Sequence, residues 1–417
     1  MRAITLASDR TSTSSPNAMT TAWTPVVDKA PGTRLRIGIA TVGRFHVLDL
    51  ARELEALGHE VRFYSYVPRK RAERFGLPRQ CHVALLPLLA PLLVLQRFLP
   101  RRWRQSFDLL IYLAANAAVK LRMQPCDVFI CMSGVYLEAA IAARRRYDAL
   151  IYLERGSRHI LSQHEILAAI SGADTPPAFA IRRELQGYQL ADRIVVPSMH
   201  AEESFVERGI AHERLFRNPY GVNLEMFPLT PAATGIPPTV LFVGTWCLQK
   251  GCNELVAAVR RLPGVHLLHV GSIGDAPLPT DIPFEHVEPV PQWRLTEYYS
   301  RAHVFALASR QEGLALVLAQ ALASGLPIVC TPRTGGTDLR AMLRESAVVE
   351  VVPEGSDNAF ADAIQRMLAR SKAAPGSRIV LSATEREALS WQAYGQRYAD
   401  RVLEDVLNKT SAQVLTP

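Results

Sequence analysis

Residues 303–331, HVFALASRQEGLALVLAQALASGLPIVCT, set two apolar runs on either side of one helical stretch and leave a single acidic residue, Glu312, in the first connection. The pattern predicts a strand over 303–308, a loop over 309–314, a helix over 315–324 closed by Gly325 and Pro327, and a second strand at PIVCT. Parallel strands joined through a helix open a crevice at their carboxyl ends. The amino end of the following helix offers unpaired N–H groups and a positive dipole end there to phosphate. Glu312 belongs at that crevice, and Gln320, eight residues on, points in from the helix. An acid ahead of a helix is also a common cap, so this segment alone leaves both readings open.

Other segments repeat the architecture. LFVGTWCLQKG, residues 241–251, is an apolar strand running into a glycine turn, with Lys250 six residues beyond Gly244. A lysine just before a helix neutralises a diphosphate well. LLHVGSIG, residues 267–274, is a second strand ending in glycines, Gly271 and Gly274. Residues 190–210 read as a strand and a helix, and RNPYGVNLEMFPL, residues 217–229, as a hinge-like turn. Near the start, residues 36–41 form the first strand. Val47, Leu50, Ala51, Leu54 and Leu57 then share one helical face before Gly58 ends it.

In this order and spacing the motifs resemble the retaining glycosyltransferases of family four, from about residue 36 to about residue 407. The resemblance is weakest over residues 68–121. It implies an α/β chain of GT-B architecture, two Rossmann-like doubly wound domains facing across a cleft, with a nucleotide-sugar donor on the second and an acceptor on the first. The corresponding division is a flexible tail over 1–33, an acceptor domain over 34–220, a donor domain over 221–390, and a helix over 391–410 crossing back to the first domain. The resemblance also implies retention of anomeric configuration, no bound metal, and no cofactor beyond a nucleotide-diphosphate sugar, UDP- or GDP-linked, as co-substrate.

Carried over by position, Glu312 lies beside the donor sugar and His159 faces it from the acceptor domain. The backbone of Gly313, Leu314, Ala315, Leu316 and Val317 meets sugar and phosphate, Gln320 the ribose, and Gly244, Thr245, Lys250 and Gly271 the diphosphate region. Three positions depart from the family. Thr245 stands where arginine is common, with Arg310 and Arg333 as candidate replacements for that cation. Ala315 stands for a frequent second glycine, and Gln320 for a second glutamate. A glutamine keeps a carbonyl acceptor and adds amide donors, so hydroxyl recognition survives without charge. These departures keep two alternatives in view: a catalytically silent sugar-nucleotide-binding subunit, and a GT-B epimerase or hydrolase.

On the acceptor side, Gly43, Arg44 and His46 follow the first strand, with His46 read either as an acceptor contact or as a structural ring. Glu154, Arg155, Ser157, Arg158 and His159 crowd the loop after LIYL. Arg155 and Arg158 are suited to an acidic acceptor or a phosphate, against the plainer reading of an exposed loop with local ion pairs.

Residues 68–104 carry nine Lys or Arg, among them Arg69, Lys70, Arg71, Arg97, Arg101 and Arg104, against the single acid Glu73. Between the basic groups lies VALLPLLAPLLVLQRFLP, too short and too broken by proline to span a bilayer. It reads either as an interfacial segment on an anionic membrane, with Trp103 at headgroup level, or as a buried core helix. The first reading points to a lipid-linked or glycan acceptor in cell-surface polysaccharide assembly, on the cytoplasmic face. The net charge of +8 suits an anionic surface without selecting one. No stacking motif, zinc spacing or recognition helix accompanies it, so nucleic acid is not an expected partner. The six cysteines show no CxxC pair, as in a reducing compartment.

Overall fold

A computed structural model describes residues 34–373 and 378–414, and the tail expected over residues 1–33 lies outside them. The first sheet is formed by β1 (Arg36–Thr41), β2 (Glu60–Ser65), β3 (His82–Ala84), β4 (Val128–Met132), β5 (Leu150–Glu154), β6 (Arg193–Val196) and β7 (Leu215–Arg217). The second contains β8 (Thr239–Val243), β9 (His266–Val270), β10 (Phe284–Val287), β11 (Val304–Leu307), β12 (Ile328–Cys330) and β13 (Val349–Val351). Strand orders are β3-β2-β1-β4-β5-β6-β7 and β10-β9-β8-β11-β12-β13, and every pairing is parallel. Each sheet therefore reverses direction between its first-formed strand and the one that follows the crossover, the place where open α/β sheets bind ligands.

Parallel sheets need helices on both faces, and their strands read as nearly continuous apolar runs. In β4 the alternation is explicit. Val128 and Ile130 pack into one core, while Phe129 and Cys131 pack into the other. The second domain has its own core, built from β8, β9, β11 and β12 with the helices around them.

The chain passes between the sheets at two adjacent points. After β7 it runs through Tyr220 and Val222, and the Val222 amide donates to the carbonyl of Leu389 at 2.8 Å just before the last helix, Trp391–Val414, begins. That helix lies on the first domain. Trp391, Tyr394, Tyr398 and Val402 join the core beneath the helix His46–Ala56, and Arg193 holds Asp405 with two bonds of 2.6 and 2.7 Å.

The segment over 82–104 is not a core helix. It forms a helix, Leu86–Phe98, with Pro91 inside it, followed by a second, Arg101–Arg122, and Leu89 is the one buried residue of the first. Leu88, Val94, Leu95, Phe98 and Trp103 are exposed, Phe98 at 80%. The side chains of Arg101, Arg102 and Arg104 lie outside the described residues. Among those described, no helix is long and apolar enough to cross a membrane. The six cysteines are unpaired.

Candidate active site

The carboxyl ends of both sheets face one cleft of about 1260 Å³. Its second-domain wall is built by the connection after β11. Ser309 is fully buried, and its hydroxyl donates to Glu312 Oε1 at 3.0 Å, which fixes the carboxylate against the turn. Lys250 comes from the 3-10 turn Leu248–Lys250 after β8, and its ammonium forms an ion pair with Glu312. Both line the cleft, as do Leu314, Ala315, Leu316 and Val317. Leu316 and Val317 open the helix Leu316–Ala323, so their N–H groups have no carbonyl partner within it.

Gln320 lines the same wall at 5% exposure, and its Oε1 accepts from the hydroxyl of Tyr299 at 3.1 Å. One lone pair of that oxygen is thus taken, and its second lone pair and the amide N–H groups are left to offer a ligand. Gly244 and Thr245 line the cleft, whereas Gly271 does not and serves the backbone instead. At φ +154° it packs so close to Gly244 that an added Cβ would come within 1.9 Å of the Gly244 carbonyl oxygen. Gly313 likewise lies against the first domain, where a Cβ would meet the carbonyl oxygen of Gly156 at 2.0 Å.

The expected replacements for the missing arginine are elsewhere. Arg310 pairs with Glu254 and Arg333 with Glu354, and both line a separate hollow of about 570 Å³. Neither lines the cleft that holds Glu312 and Lys250.

The acceptor half needs a larger correction. His159 does not face the cleft. It caps the helix Ile160–Ala168, its Nδ1 accepting from the Leu161 amide at 3.3 Å, and its ring is packed by Tyr188 and Phe205. Burial pushes it down to about pH 4, a neutral structural ring. Arg158 is also off the cleft, 3.8 Å from Glu207. Arg155 lines it, yet its guanidinium is committed to Glu184 at 3.0 Å, the Arg158 carbonyl at 3.0 Å and Gln163 at 2.5 Å, which leaves little for an acidic ligand.

His46 is the imidazole that reaches the cleft. Its Nε2 donates to Glu154 Oε2 at 2.8 Å, its ring stacks on Tyr220 with centroids 4.3 Å apart, and Tyr398 OH holds the other Glu154 oxygen at 2.7 Å. Arg44 also lines the cleft and reaches across it to Gln292 at 2.8 Å, while Gly43 stands just outside.

The contacts that close one domain on the other had no counterpart among the sequence motifs. Ser198 Oγ and His200 Nε2 both donate to the Gly313 carbonyl at 2.8 Å, the Met199 amide donates to Asp338 at 3.0 Å, and Gln311 donates to Ser157 at 2.6 Å. Burial pushes Asp338 up to about 6 and His200 down to about 4. Their sole trace in the sequence is a Ser and a His at the start of a helix, a pattern equally common in caps.

Comparison with known proteins finds similarity to glycosyltransferases. The family described as Glycosyltransferase Family 4 matches residues 44–226, and that described as Glycosyl transferases group 1 matches residues 237–370. The chain is 31% identical over 246 residues to a D-inositol 3-phosphate glycosyltransferase of Xylanimonas cellulosilytica, covering 51% of this chain and 58% of the relative. It is 27% identical over 175 residues to the lipopolysaccharide core biosynthesis glycosyltransferase LpsE of Rhizobium meliloti, covering 39% and 50%. The matches thus span half to three-fifths of these relatives' own length. Among solved structures, sucrose-phosphate synthase from Thermosynechococcus elongatus superposes with a TM-score of 0.62 at 21% identity, over 88% of this chain and 98% of that one. Anabaena HepE in complex with UDP and glucose gives 0.58 at 13% identity, over 88% and 99%. At these identities the likeness shows the fold.

Proposed function

Since the chain belongs to the family-four glycosyltransferases of GT-B fold, we propose that it moves a sugar, with retention and without a resident metal, from a nucleoside-diphosphate sugar to a hydroxyl of a glycan or lipid-linked acceptor. The observation that carries the reading is the Lys250 and Glu312 pair, delivered from two strand ends to one cleft wall and facing His46 and Arg155 on the other. Neighbours of the same fold are bound to UDP and glucose or to UDP-glucose, which supports a nucleotide sugar as donor.

In the proposed reaction the diphosphate takes Lys250 from Glu312. The ammonium then neutralises the leaving group, and the freed carboxylate turns to the sugar. The N–H groups of Leu316 and Val317 add the positive end of a helix to the same phosphates. Glu312 is the carboxylate carried on the loop at this wall, and the reading assigns no second one as a double-displacement partner. The reading is therefore front-face transfer, in which the departing diphosphate accepts the acceptor's proton while the protein orients both partners and excludes water. His46, held by Glu154, offers its remaining ring nitrogen to an acceptor hydroxyl.

A thermal-shift panel of UDP-, GDP- and ADP-sugars names the base. Selective stabilisation by one of them supports the reading, and indifference to all three removes it. Transfer that persists in EDTA supports metal independence.

The acceptor reading extends to a membrane. Val94, Leu95, Phe98 and Trp103 are exposed together with Arg97 on the hairpin whose second helix brings Tyr112 to the cleft. Apolar residues at a basic surface suit the boundary of an anionic bilayer, and a lipid-linked acceptor at the cytoplasmic face in polysaccharide or glycolipid assembly follows. Flotation with anionic liposomes at low salt decides it; protein left at the bottom of the gradient excludes this docking.

A further inference from the structure

The donor wall has a charge deficit. A sugar nucleotide brings two negative charges on its diphosphate. Among the described residues of the second domain that line the cleft, Lys250 is the one cation, and it is already paired with Glu312.

Directly behind this wall stand two imidazoles. The Gly244 carbonyl is turned into the domain, where fully buried His269 donates to it from Nε2 at 2.9 Å. His269 Nδ1 lies 2.9 Å from Nδ1 of His286, and His286 Nε2 lies 3.4 Å from Glu288. Proton positions follow from the chain of contacts. A carbonyl oxygen accepts only, so His269 carries its proton on Nε2 and presents a lone pair at Nδ1. His286 must then donate from Nδ1, and its Nε2, beside Glu288, is where one further proton goes.

The same contact orients the backbone. In a trans peptide the N–H points opposite to the C=O. With the Gly244 carbonyl held inside, the Thr245 N–H is directed to the cleft side, and Gly244, at φ +147°, is the residue type that tolerates the required turn. The exposed hydroxyls of Thr245 and Ser272, 3.0 Å apart, flank it.

We propose that the His269 and His286 pair aims the Thr245 amide at the donor diphosphate and takes up one proton from solvent when that diphosphate binds, placing a second positive charge behind the wall beside Lys250. The assignment rests on the donor-site reading above. Both histidines are positioning residues, since neither touches the donor. Phe242, Trp246 and Phe284 pack against the pair and carry no charge, and Glu288 is the charged group beside it. Burial pushes His269 below its ordinary value, with the Gly244 bond opposing. The contacts place the added proton on the outer ring, at His286 Nε2 facing Glu288.

The test is titration calorimetry at pH 7 in two buffers of different ionisation enthalpy. The ligand is whichever of UDP-glucose, GDP-mannose and ADP-glucose stabilises the protein. The wild type takes up part of a proton on binding, and its affinity falls roughly fivefold between pH 6 and pH 8. His286→Gln, whose amide still donates to His269, folds and binds with no uptake and a flat pH profile. His269→Ala, which removes the donor to the Gly244 carbonyl, weakens binding at every pH. Unchanged uptake in His286→Gln, with binding still lost in Lys250→Ala, overturns the relay and leaves the donor site standing. Failure of all three nucleotides to bind the wild type overturns both.

Discussion

His200 Nε2 donates to the carbonyl oxygen of Gly313 at 2.8 Å, so the residue next to Glu312 is held by a helix of the opposite domain. Ser198 Oγ grips the same oxygen at 2.8 Å, and the Met199 amide reaches Asp338. Three consecutive residues at the start of the helix Met199–Val206 thus tie domain closure to the position of the candidate catalytic loop.

Replacing Glu312 by Ala is expected to lower transfer by about a hundredfold or more while leaving the fold intact, because the carboxylate is anchored to one hydroxyl and one ammonium at the cleft wall rather than to a core. Steady-state transfer and the melting temperature measured side by side check this. Turnover at the wild-type rate removes Glu312 from the reaction.

Gln320→Glu is expected to keep most activity. Tyr299 OH donates to Oε1 in either side chain, and one acidic oxygen in place of the amide still meets a hydroxyl. The donor KM is the quantity to measure, and a collapse of donor binding would show that the amide N–H groups are required.

His200→Gln separates clamp from charge. A glutamine amide still donates to Gly313, so transfer at pH 7.5 changes little, whereas His200→Ala leaves that carbonyl with Ser198 Oγ as its donor and costs about 1 kcal/mol. His200 is held at about 4, below the ordinary 6.5. Its contribution to stability is present above pH 6.5 and is lost as pH falls through 4. Urea unfolding at pH 7 and pH 4 is expected to show a steeper acid loss in the wild type than in His200→Gln.

Asp338 has the opposite sign. Its carboxyl is raised from 3.8 to about 6 by burial. The stability it contributes is full below pH 3.8 and is lost as pH rises through 6. Asp338→Asn is therefore expected to gain on the wild type between pH 4 and pH 7 by on the order of 3 kcal/mol. An equal difference at both pH values would place the titration elsewhere.

Gly271→Ala is expected to destabilise the second domain by about 3 kcal/mol or more, since it combines a glycine-only backbone angle with a collision against the Gly244 carbonyl. Circular dichroism melting checks it. A near-neutral change would mean that β8 and β9 can separate at their ends.

The sequence by itself determined the two doubly wound sheets and the Glu312, Lys250 and Gln320 wall. Apolar strand runs, helix-ending glycines and short strand-to-helix connections are local signals, and a parallel sheet leaves its loops one place to go. Only the tertiary structure decided which side chains look into the cleft. His159 and His46 both follow strands of the first sheet at the start of the next helix, with equal claims on paper. One turns back to cap its own helix, while the other is aimed by Glu154, more than a hundred residues away, and backed by Tyr398 of the last helix. Arg310 and Glu312 are two residues apart and face different cavities. Side-chain direction at a loop is set by partners that arrive from distant strands, and neither spacing nor composition encodes where those partners end up.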